Sequence, residues 1–232
     1  MHSLILLPGL ACDAAVWQGQ LAALATRHSV HVSDVHARCD TLPEMAAALL
    51  AECPGRHVLI GASMGGMLAL EAQRQAPERV QALALLGSSA RADTPELLRL
   101  RSDAIKLFEQ GRVDEVLKAN VSFAFHPNHA RPGPLVEAYL AMVGRAGAGQ
   151  LIRQNRAVMA RIDSRPLLPA LRCPLLLACG EADLLTPPEQ AREVAALVPQ
   201  ARLEIVPGAG HMLTMEQPER VNTLLLDWLA TL

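Results

Sequence analysis

Apolar positions along the chain fall into two alternating rhythms. Short continuous runs of five or six residues, closed by glycine, proline or small polar residues, read as strands buried on both faces. They are Ser3–Leu7, Ser29–Ser33, His57–Gly61, Ala82–Leu86, Pro174–Cys179 and Arg202–Val206. Between them the spacing lengthens to helical periodicity over Ala14–Thr26, Pro43–Glu52, Met64–Ala76, Pro188–Val198 and Pro218–Thr231. Prolines mark three of the helix starts, where a missing N–H costs little. Strand–helix alternation of this kind predicts an α/β protein, a mostly parallel sheet of about six strands with helices on both faces. One interval breaks it. From Ala90 to Pro169 only amphipathic stretches occur, over Pro95–Gln110, Val113–Phe123, Pro134–Gly144 and Gly149–Arg161. A helical insertion between two strands is therefore expected at 90–169, within a core formed by 1–89 and 170–232.

Chain length and composition fit this architecture. With 232 residues, 51% of them hydrophobic, the chain can bury the core of one large domain. A formal charge of −2, with no long Lys/Arg run, argues against a nucleic-acid partner. The apolar start lacks a basic leader and is stopped by Pro8-Gly9, so it reads as a first strand of a cytoplasmic protein without a membrane partner. Five scattered cysteines form no CxxC pair, which argues against a disulfide framework or structural zinc. Cys12 alone is placed near candidate chemistry. Aromatic residues make up only 3%, so a pocket must be walled mainly by aliphatic side chains and methionines.

The strongest local signal is Gly61-Ala62-Ser63-Met64-Gly65-Gly66, a GxSxG placed between an apolar strand and a helical segment. A sharp turn there lifts the Ser63 hydroxyl above the sheet edge, and the Met64 N–H, at the helix start, can face a developing oxyanion. A phosphate loop would end in Lys-Ser/Thr, which Gly65-Gly66-Met67 does not supply. A serine needs a base. Of eight histidines, His211 lies in the small-residue loop Pro207–Met212 directly after the last strand. The base needs a carboxylate, and Asp183 follows the strand Pro174–Cys179; Asp93 and then Glu181 are the alternatives. His126 and His129 have a metal-like spacing, but Pro127 and the lack of a nearby carboxylate speak against a metal site.

Taken together, GASMGG, GEADLLTP and GAGHM resemble the elbow, acid loop and histidine loop of the α/β-hydrolase superfamily, in its order and over nearly the whole chain. The resemblance implies a serine hydrolase with the triad Ser63, Asp183 and His211, acting on a carboxylic ester or lactone of a small molecule. It makes 90–169 a cap, and it gives Leu10, after Pro8-Gly9, as the second oxyanion donor beside Met64. Proline replaces the usual histidine at position 8, and no hairpin precedes the first strand. No cofactor or metal is implied, and a monomer or homodimer is expected. A carbon–carbon hydrolase or lyase on the same triad, a slow-turnover binding protein and a nucleotide-binding protein are the competing readings. Leu97, Leu98, Phe108, Phe123, Phe125 and Met142 are candidate pocket residues, and Trp17 reads as packing.

Overall fold

A computed structural model describes all residues, 1–232. Six strands, β1 (Ser3–Leu7), β2 (Ser29–Val32), β3 (His57–Ala62), β4 (Val80–Leu86), β5 (Leu175–Gly180) and β6 (Arg202–Val206), form one parallel sheet in the order β2-β1-β3-β4-β5-β6. The strand bounds agree with the sequence reading to within two residues. Alternate residues point to opposite faces and into two separate cores. Leu4, Leu6, Val58 and Ile60 join one, whereas Ile5, Leu7, Leu59 and Leu83 join the other. Burial on both faces is why the four inner strands, β1, β3, β4 and β5, read as continuous apolar runs; the edge strands β2 and β6 stay largely part-exposed, and β2 alternates.

Helices α1 (Gln18–Ala25) and α11 (Pro218–Leu229) cover the first face; α3 (Leu42–Glu52), α4 (Met64–Gln75) and α9 (Pro188–Leu197) cover the second. Helix α3 begins at Leu42 rather than Pro43, because Thr41 and Glu44 exchange side-chain and backbone hydrogen bonds in a capping box. The segment expected as one helix from Ala14 is a 3₁₀ turn over Ala14–Trp17 followed by α1. Two short helices, α2 (Val35–Arg38) and α10 (Leu213–Glu216), are too brief for a hydrophobic period to mark.

The interval between β4 and β5 holds α5 (Pro95–Glu109), α6 (Val113–Ala124), α7 (Pro134–Gly144) and α8 (Gly147–Met159), with no strand. Phe108, Leu117, Tyr139 and Met142 from these helices, with Phe125 just past the end of α6, are continuous with the first core, and Trp17 is fully buried in the same cluster. None of the helices is long and apolar enough to cross a membrane.

The sheet order reverses direction between β1 and β3: the chain leaves β1 for β2 at one edge, then returns to β3 on β1's other side. Loops at the carboxyl ends of these two neighbours diverge and open a crevice there. The start of α4 is pressed against the end of β1, and a Cβ on Gly65 would overlap the carbonyls of Leu7 and Pro8. Replacing Gly65 by alanine is expected to destabilise the fold by about 1–3 kcal/mol through overpacking. In a thermal melt the midpoint should drop by roughly 2–12 °C for a chain of this size; an unchanged Tm would contradict this packing.

Candidate active site

Ser63 occupies the junction of β3 and α4 with φ 53° and ψ −116°, one of only two non-glycine residues at positive φ. Such a conformation costs of order 1–3 kcal/mol and persists only where its surroundings over-determine it. Here the Ser63 N–H donates to Leu86 O at 2.8 Å, and its carbonyl accepts from Gly66 N at 3.0 Å and from the Ser88 hydroxyl at 2.8 Å. The other positive-φ residue is Ala11, at 64°, in the loop after β1; its N–H donates at 2.8 Å to the buried Gln154 side chain of α8. Gln154 in turn donates to His36 O, so a helix of the insertion holds this loop in place. The Leu10 N–H has no acceptor within the protein, and Met64, as the first residue of α4, has no intrahelical one. Ser63, Leu10, Met64 and His211 all line one cavity of about 540 Å³.

At the carboxyl ends of β5 and β6, Asp183 and His211 meet. His211 Nδ1–H donates to Asp183 Oδ2 at 2.8 Å, leaving Nε2 free. Asp183, 2% exposed, is held by further donors: the N–H groups of Leu185 and Thr186 on Oδ1, both at 2.9 Å, and the Thr186 hydroxyl on Oδ2 at 2.9 Å. Burial works to raise the Asp183 pKa, but the adjacent His211 charge, its hydrogen bond and the Thr186 donors outweigh it, so the carboxyl is held below its ordinary value. For His211, burial favours the neutral ring, yet the Asp183 charge and hydrogen bond, with a contribution from Glu216, raise its pKa above the ordinary 6.5; Arg101 opposes them.

The histidine loop is tied down by groups that no sequence motif flags. Glu216, its side chain fully buried, accepts from Gly210 N at 2.8 Å on one oxygen and from His126 N and His129 Nδ1 on the other, at 2.8 and 3.0 Å. Met212 N donates to Ala124 O. These bonds fasten the loop to the end of α6 and the turn after it. They also correct the sequence expectation for His126 and His129: carboxylates do approach them, at 3.0 Å from Glu216 and 3.8 Å from Glu181, but from distant parts of the chain. No group of three His, Cys, Asp or Glu is arranged to hold a metal ion. Thr186 was within reach of sequence reasoning, since it lies three residues past Asp183; Gln154 and Glu216 gave no signal.

The alternative acids serve elsewhere. Asp93, 1% exposed at its side chain, lies between Arg101 and Arg161, and Glu181 accepts from Gly208 N in the histidine loop. Of the candidate pocket residues, Leu97, Phe108 and Phe123 line the cavity; Leu98, Phe125 and Met142 do not. Phe125 instead packs edge-on against Tyr139, 5.1 Å between ring centres, inside the core. A helical period identifies an apolar face but not which part of it faces a void. Cys12 does line the cavity, but burial, with the nearby Asp13 charge, pushes its thiol up to about 12, against an opposing bond to Gly9, which leaves it a poor nucleophile at neutral pH.

Comparison with known proteins adds four findings. A family model described as the alpha/beta hydrolase fold matches residues 2–218. A pimeloyl-[acyl-carrier protein] methyl ester esterase from Nitrosomonas europaea is 28% identical over 232 residues, covering 94% of this chain and 91% of its own. A solved thermophilic esterase from Thermogutta terrifontis superposes with a TM-score of 0.90 at 28% identity, covering 100% of this chain and 90% of the other. The enol-lactonase from Burkholderia xenovorans LB400, at 22% identity and a TM-score of 0.89 over 99% of this chain and 91% of its own, shares the fold.

NMR titration of ¹⁵N-labelled histidine should place the His211 pKa above 6.5, and Asp183→Asn should lower it by removing the counter-charge. A wild-type value at or below 6.5 would contradict the electrostatics described.

Proposed function

The chain belongs to the alpha/beta hydrolase family, and we propose that within it the protein is a carboxylic ester hydrolase using Ser63, His211 and Asp183. The observation that carries this reading is the 2.8 Å Asp183–His211 hydrogen bond at one wall of a cavity that also receives Ser63 from its strained turn. The esterases from Nitrosomonas europaea and Thermogutta terrifontis, both similar along nearly the full chain, support the same class of reaction.

In this mechanism the ester carbonyl lies over Ser63 with its oxygen toward the Leu10 and Met64 N–H groups. His211 Nε2 takes the Ser63 proton as Oγ bonds to the carbonyl carbon, and the two N–H groups hold the oxyanion. Collapse breaks the bond to the alcohol oxygen, which leaves with the proton from His211. Water then attacks the acyl-enzyme as His211 takes its proton, and collapse breaks the bond to Ser63 Oγ, which takes that proton back from His211 as the acid is released. Asp183 keeps Nδ1 protonated, so that Nε2 is the basic nitrogen, and stabilises the imidazolium. Every step uses side chains and backbone groups of this chain. Residues 90–169 act as the cap, completing the pocket over a core of 1–89 and 170–232. Gln154 is the cap's hold on the oxyanion loop.

Purified protein should react stoichiometrically with a fluorophosphonate probe and hydrolyse p-nitrophenyl esters, and Ser63→Ala should abolish labelling and lower kcat by about 10⁴-fold or more. Absence of labelling and turnover in the wild type would overturn the proposal. His211 must be neutral to accept a proton, and its pKa is raised. The acid limb of kcat/KM therefore falls above pH 6.5, with activity lost about tenfold per pH unit below it. A limb well below pH 6.5 would assign the base elsewhere.

A further inference from the structure

Apart from His211, the acidic and basic side chains lining the cavity that receives Ser63 are three arginines and one carboxyl group: Arg91, Arg101, Arg161 and Asp93. Arg91 is matched by Glu193, which accepts from its Nε at 2.7 Å. The other three form a cluster short of negative charge. Asp93 Oδ2 accepts from Arg101 Nε at 2.7 Å, and its Oδ1 lies 2.7 Å from Arg161 Nη2, so one carboxylate is shared between two guanidinium groups. The trio therefore sets two guanidinium groups against a single carboxyl group.

Placement of the two guanidinium groups differs. Arg161, 7% exposed at its side chain, spends its other donors on carbonyls: Nε on Arg91 O and Nη1 on Val158 O, both at 2.8 Å. Its role is to close the neck of the insertion. Arg101, on α5, is 24% exposed and uses Nε on Asp93 and Nη1 on Asn155 Oδ1 at 3.1 Å. Its Nη2 has no hydrogen-bond partner in the protein, and the side chain lines the cavity. Asp93 and Asn155 thus fix the plane of the guanidinium from one side, while its remaining donors are left to whatever enters. Burial lowers the Arg101 pKa and the Arg161 charge adds to this, against Asp93, which is the signature of a cation lacking compensation. A hydrophobic neck would be built more cheaply from apolar residues, because a buried ion group with an unmatched charge destabilises the fold.

We infer that Arg101, oriented by Asp93 and Asn155 and backed by Arg161, forms an anion subsite that binds a carboxylate on the substrate remote from the ester being cleaved. The substrate class is then an ester that also carries a free acid group. A planar guanidinium presents N–H groups in a fork that matches a carboxylate, and the apolar remainder of the cavity wall takes the hydrocarbon between the two functional groups. The Arg101 charge also reaches His211, where it opposes protonation. A bound carboxylate would screen it. This inference rests on the hydrolase reading for the reaction, but not for the binding.

The test has two arms, because the acid could sit on either side of the ester. In the first, monomethyl esters of dicarboxylic acids of four to eight carbons are compared with methyl esters of monocarboxylic acids of equal length, followed by acid release. In the second, 4-acetoxybenzoate is compared with 4-acetoxybenzamide. In at least one arm the wild type should favour the acid-bearing ester by about 10- to 100-fold in kcat/KM, the range for hydrogen bonds to a charged group, mainly through KM. Arg101→Gln should bring that ratio to within about threefold of one, and Arg101→Lys should give an intermediate value. Should Arg101→Gln fail to fold, calorimetry on wild type decides: glutarate should bind, and glutaramide should not. Wild type that cleaves neutral esters without preference in either arm, or binds glutarate no better than glutaramide, overturns the subsite and leaves the hydrolase intact. Glutarate binding in a protein that neither labels with fluorophosphonate nor cleaves esters would do the reverse.

Discussion

The close approach of the end of β1 to the start of α4 is the constraint on which the site depends. Leu7 and Pro8 carbonyls occupy the space where a Gly65 side chain would be. That contact brings the loop after β1 beside the turn after β3, at the point where the sheet order reverses. Two backbone strains follow, at Ser63 and Ala11, each held by hydrogen bonds from a different layer: Leu86 and Ser88 from β4 and the loop beyond it, Gln154 from α8. Neither strained turn would survive alone, since each costs of order 1–3 kcal/mol that only tertiary contacts offset.

Charge in the site is arranged in a chain of unequal environments. Asp183 is buried yet ionised because His211, Thr186 and two backbone N–H groups supply what water would have supplied. Glu216, equally buried, is served by Gly210, His126 and His129. Both carboxylates favour the protonated state of His211, while Arg101 opposes it from the cavity wall. The imidazole is therefore subject to opposing charges, Asp183 and Glu216 against Arg101, a balance compatible with the proposed role of base.

The helices between β4 and β5 do more than roof the pocket. They supply Gln154 to the loop carrying Leu10, the Ala124 carbonyl to Met212 beside His211, and Arg101 to the cavity. The turn after α6 gives the His126 N–H to Glu216, which in turn accepts from Gly210 in the loop carrying His211. The cavity wall and the proposed catalytic loops are thereby linked through a few hydrogen bonds.

The parallel sheet, the strand-to-helix turn at Ser63, and the loops carrying Asp183 and His211 were legible in the sequence, because each leaves a local mark: an uninterrupted apolar run, a GxSxG between strand and helix, small residues after a strand. On sequence, Asp183 is preferred to Asp93 for its place after a strand, in the stretch that resembles the family's acid loop; in the structure Asp183 bonds to His211 at 2.8 Å, while Asp93 lies between two arginines. What stayed hidden has no local mark. Gln154 lies 143 residues from Ala11, and Glu216 lies 90 from His126; a polar residue in an amphipathic helix looks the same whether it meets water or a distant N–H. Phe125 and Phe123 are two positions apart on one apolar stretch, yet only Phe123 lines the cavity. Local propensity fixes which segments become strands and helices and which loops bear reactive groups. Only packing of one layer on another decides which side chains face the void, because that depends on the shape of the opposing surface, which no segment encodes by itself.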